Sequence, residues 1–66
     1  MTVIVTPAHC RALGYCARGV RAALARWGVD YSKFLAEGVR ADELLSASNN
    51  DSMALAAVEV ARGEQQ

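Results

Sequence analysis

Sixty-six residues make one domain, and folding at this length buries only about 60% of the unfolded surface. Apolar residues make up 53% of the chain, but there is one Phe and one Trp, and the weight sits on Ala and Val, so the implied core is thin. Seven basic residues cancel seven acidic ones, which argues against strong non-specific nucleic-acid binding, and no apolar run approaches the ~20 residues of a membrane span.

Residues 2–6, Thr-Val-Ile-Val-Thr, are β-branched throughout and read as a short extended segment. No second strand is legible, so residues 1–6 are expected to form an extended N-terminal arm. Val3 and Val5 would then pair with, or insert into, another chain. Thr6-Pro7 marks a helix start, with Thr at the N-cap and Pro in the first turn. The first helix, 7–13, stops at Gly14.

The central helix, 15–27, carries an apolar stripe of Cys16, Val20, Ala23, Leu24 and Trp27. Arg18, Arg21 and Arg26 fall outside that stripe, and Gly19 weakens the helix by ~1 kcal/mol relative to Ala. Gly28 caps its end. Asp30 caps a third helix, 31–37, with Tyr31, Phe34 and Leu35 inward. A fourth helix, 41–47, carries Leu44 and Leu45. Ser48-Asn49-Asn50 reads as a loop, and Asp51 or Ser52 caps a last helix, 53–62, with Leu55 and Val58 inward and Ala54 and Ala61 candidates for the same face. The fold class expected is all-α: four or five short helices over 7–63, an N-terminal arm, and a frayed tail at 64–66.

Charge is divided along the chain. Residues 1–29 hold Arg11, Arg18, Arg21 and Arg26 and no acid, for +4, whereas 30–66 sum to −4. The plain account is neutralisation between the two parts, within one chain or between copies; the sharper one is a basic surface for nucleic acid.

His9, Cys10 and Cys16 are the soft ligands, short of the four that a structural zinc site takes and wrongly spaced for one. Two buried or half-buried thiols and a surface imidazole are expected, with no metal and no cofactor, although a site shared with another chain stays open. Neighbours on a helix rarely point at each other, so His9 is a poor base for either thiol, and no enzyme activity is expected. The first residues lack the pattern of a secretory signal, and two cysteines in that context suggest reduced thiols.

Cys10, Gly14 and Val20 stand at the small-residue, turn and anchor positions of a helix-turn-helix, with Leu13 and Ala23 in support. On that reading Arg18 and Arg21 face a major groove, and Arg11 and Arg26 reach phosphates. The polar His9 and the helical Gly19 are departures from the pattern.

The block Gly14-Tyr15-Cys16-Ala17-Arg18-Gly19-Val20-Arg21 carries a resemblance, with Gly28-Val29-Asp30-Tyr31, Phe34, Gly38-Val39, Leu44-Leu45 and Asp51-Ser52-Met53-Ala54-Leu55. It resembles a group of small phage and prophage proteins over residues 9–62, departing from them in the Ser48-Asn49-Asn50 loop. The resemblance implies a particle or assembly component carried among virion-morphogenesis or tail genes, and brings no set of functional residues. The expected function is therefore non-enzymatic: a minor virion or tail-assembly protein that docks on a larger phage protein or on itself through Val3, Val5, Arg18, Arg21 and Arg26. Its expected location is the virion or the bacterial host cytoplasm, with no membrane partner. Two alternatives stay open, a helix-turn-helix DNA-binding regulator and a phage-encoded inhibitor of a host protein.

Overall fold

The computed structural model describes residues 3–65, Gln65 by its backbone alone. Five helices and one two-stranded antiparallel sheet follow in the order β1 (Ile4–Val5), α1 (Pro7–Ala12), α2 (Ala17–Arg26), α3 (Tyr31–Glu37), β2 (Val39–Arg40), α4 (Ala41–Ser48) and α5 (Ser52–Gln65). The helical class is as the sequence implies. Helix α3 has the expected bounds, and the others shift by one to three residues at their ends.

The N-terminal segment is not an arm. Ile4 lies opposite Arg40 and Val5 opposite Val39, and the Ala41 N–H donates to the Val3 carbonyl at 2.8 Å. Opposed residues of an antiparallel pair share a face, so Val5 and Val39 both enter the core while Ile4 and Arg40 turn outward. Val5 is 0% exposed. Two residues in each strand are too few for any alternation to register in the sequence, which is why the partner strand between α3 and α4 escaped notice. Met1 and Thr2, the start of the expected arm, lie outside the described residues.

Around this sheet Phe34, Val20, Leu24, Leu44, Ala54 and Val58 form the main contacts of the core. Helix α5 buries Ala54, Ala57, Val58 and Ala61, the i, i+3, i+4, i+7 stripe of a helix packed on one side. That stripe of small residues leaves Leu55 off the core, 42% exposed, against the inward placement expected. Leu35 is likewise outward at 52%, while its neighbour Phe34 takes the inner position of α3. Cys16 is also exposed, since it precedes α2 as its N-cap rather than belonging to its inner face. Helix α5 runs on through Gly63 to Gln65, into the tail expected at 64–66, of which Gln66 lies outside the described residues.

Gly19 is exposed within α2, and a methyl group there would meet only Cys16 Sγ at 3.4 Å, an ordinary contact. Gly19→Ala is therefore expected to raise stability by about 0.5–1 kcal/mol. An upward shift of the urea midpoint with an unchanged slope would register it, and a fall would mean that the Cys16 contact is too tight.

Candidate interaction surface

The turn between α1 and α2 places the basic residues. Helix α1 ends at Ala12 with Leu13 as its C-cap, and Gly14 takes φ +79, a left-handed conformation that side chains rarely adopt. The Gly14 N–H then donates to the Arg11 carbonyl at 2.9 Å and the Tyr15 N–H to Cys10 at 3.1 Å, which satisfies the carbonyls at the helix end. Helix α2 restarts at Cys16, whose Sγ accepts the Gly19 N–H at 3.4 Å. Cys10 is buried before this turn and Val20 after it.

Arg11, Arg18, Arg21 and Arg26 are all exposed. Arg21 lies over the ring of Tyr31, with Cζ 5.7 Å from the centroid, and Tyr31 in turn is tilted against Phe34 at 6.5 Å. Among the described residues Arg11, Arg18 and Arg26 make no ion pair. The acids do not turn to them: Asp42 pairs with Arg40 at 3.1 Å and Glu59 with Arg62 at 3.2 Å, each within its own segment. Neutralisation of one half of the chain by the other is therefore not made by ion pairs within the described part of a single copy. Local pairs win because residues two or three apart meet without any cost in chain closure.

Beside this basic face, α1, α2 and α3 enclose an open cleft lined by Pro7, Tyr15, Ala17, Tyr31 and Leu35, with Arg11 at its edge. Leu35 stands in the cleft as its most exposed large apolar side chain. Exposed apolar surface framed by charge is the usual make-up of a protein-docking site. Sequence reasoning passed over Leu35 and Tyr31 here by counting both as core. Their i, i+3, i+4 spacing with Phe34 is the pattern of a single helix face, so only the packing shows that Phe34 fills the core while Leu35 stays outside it.

Val3 and Val5 do not belong to this surface. Val5 is sealed in the core, and the Val3 carbonyl is engaged by Ala41. Val5 therefore presents no side chain to another chain, and the Val3 backbone serves the chain's own sheet.

His9 is 2% exposed rather than on the surface. Its Nδ1 accepts the Thr6 N–H at 2.9 Å, taking the place that Glu or Gln fills in a capping box. The ring proton therefore sits on Nε2, which lies 3.1 Å from Glu64 Oε1 but out of line for a good hydrogen bond. This contact ties the start of α1 to the last turn of α5. Among the described residues no three His, Cys, Asp or Glu side chains gather as metal ligands, and both thiols are free.

The two thiols differ. Burial pushes the Cys10 thiol above its ordinary value, with Arg11 opposing, whereas Cys16 is open to solvent. Alkylation of the native protein is expected to modify Cys16 first, with Cys10 slower by on the order of 100-fold because it reacts through opening of the fold. Equal rates would mean that α1 opens freely. A raised thiol pKa in the folded state favours folding below the pKa of the unfolded thiol, where both states are protonated. As pH rises past that value the unfolded chain ionises first and stability falls. Cys10→Ala should flatten the alkaline decline measured by urea titration at pH 8 to 10 (about the ordinary thiol range).

Compared with known proteins, the chain matches no family model, no curated protein and no solved structure.

Proposed function

We propose that this protein is a non-enzymatic interaction component of a bacteriophage or prophage, a minor virion or tail-assembly protein that docks through its basic α1–α2 face and the adjoining cleft. The observation that carries the docking role is the set of exposed arginines, Arg11, Arg18 and Arg26, without acidic partners among the described residues, beside an apolar cleft. Unpaired charge around exposed apolar surface favours association with a surface of opposite sign. The phage assignment rests on the sequence resemblance over residues 9–62. Mass spectrometry of purified particles tests it, because a virion component is present at a fixed copy number, and absence from particles and assembly intermediates alike would overturn the reading.

A helix-turn-helix regulator is the second reading, favoured by the Gly14 turn with Cys10 and Val20 buried on either side. It requires Arg18 and Arg21 to read duplex DNA, and Arg21 would have to leave the Tyr31 ring to do so. A gel shift at low salt that Arg18→Ala abolishes would support it, and no complex at low salt would remove it.

A further inference from the structure

We infer that the occupant of the cleft is helix α5 of a second copy of this chain, so that copies join head to tail. The inference rests on the docking reading above and names its partner. Two large apolar side chains are exposed among the described residues, Leu35 and Leu55, and their surroundings are opposite in charge. Leu35 stands in the cleft with Tyr15 and Tyr31, edged by Arg11, while Arg21 sits over the Tyr31 ring.

Leu55 stands on α5 with Asp51 four residues before it and Glu59 four residues after, so a carboxylate flanks it one turn away on each side. Asp51 also accepts the Met53 N–H at 3.0 Å, which fixes its carboxylate at the start of the helix. Among the described residues Glu59 is paired with Arg62, the two side chains being 68% and 51% exposed. Such a pair contributes little and exchanges partners readily.

A ridge with acidic flanks and a cleft with basic flanks attract each other, and each repels its own kind. The pairing is therefore heterologous. Every copy retains one free cleft and one free ridge, so association continues until it closes into a ring or grows as a filament. The net charge of zero suits growth, since no repulsion accumulates as copies are added.

Sedimentation velocity over a concentration series at low salt tests this on the whole chain. The average mass should rise with concentration, and about 0.5 M salt should weaken the association by roughly tenfold or more. Leu35→Glu removes the cleft and Leu55→Glu the ridge, and because both positions are exposed each variant should keep its helical circular dichroism. Each alone should remain a monomer. Mixed in equal amounts, they should form a dimer and nothing larger, since one ridge and one cleft survive between them. If Leu35→Glu loses its fold, Arg11→Glu serves in its place.

A dimer of Leu55→Glu alone would show a symmetric contact and overturn the inference. So would a wild-type chain that stays monomeric at low salt, including one that instead binds a duplex or an acidic peptide. A monomeric result leaves the particle measurement to decide the assembly role separately.

Discussion

Gly38→Ala is expected to unfold this protein, or nearly so. Gly38 joins α3 to β2 at φ +78 and ψ −172, a region that is essentially open to glycine alone. An added Cβ would lie 2.7 Å from the Val5 carbonyl oxygen and 2.7 Å from Ile4 Cγ2. The backbone conformation costs about 1–3 kcal/mol, and the forced separation of β1 from Gly38 adds about 1–3 kcal/mol more. A domain of this length holds about 3–10 kcal/mol in total.

Gly28→Ala is the control. Its φ of +74 is also left-handed, but a methyl group there meets nothing within 4 Å, so only about 1–2 kcal/mol should be lost. Urea titrations of the two variants separate the contributions. Equal losses would mean that the close approach of β1 to Gly38 has no energetic weight.

Val5→Asp should be at least as damaging. The side chain is fully enclosed in the apolar core with Cys10, Phe34 and Val39. A carboxylate at this point either loses its water uncompensated or takes up a proton, and an unpaired buried charge costs about 3–5 kcal/mol. The loss of native circular dichroism at 25 °C (about the temperature at which those costs apply) is the expected result. This measurement also separates an arm from a built-in strand. Residues that serve only an outside partner would leave the melting temperature where it was, and retention of the native melt would contradict the buried strand.

With that strand satisfied internally, side chains rather than backbone are what the described residues offer a partner. An unpaired β segment would call for another sheet edge. The observed segment is satisfied by Val39, Arg40 and Ala41, so it asks for nothing further through its described residues. What stays exposed is charge and two leucines, and these are surfaces that salt and single substitutions can probe.

Local chemistry made much of the architecture legible from the chain alone. Thr6-Pro7, Asp30 and the glycines at 14, 28 and 38 mark helix ends through interactions among residues a few positions apart, and the helices begin and stop beside them. Val20, Ala23 and Leu24 on α2 show their burial by spacing, because a helix repeats its faces every 3.6 residues.

Tertiary packing decided the rest. Pairing between residues 4–5 and 39–40 joins segments far apart in sequence, and two residues per strand leave no period to read. His9 is buried where α1 packs on α5, with Glu64 of the last turn 3.1 Å from its ring, which no local rule anticipates. Hydrophobicity alone assigned Leu35 and Leu55 to the core. The fold gave the inner places to Phe34 and to a row of alanines with Val58, because close helix packing selects for size and position as well as for apolar character.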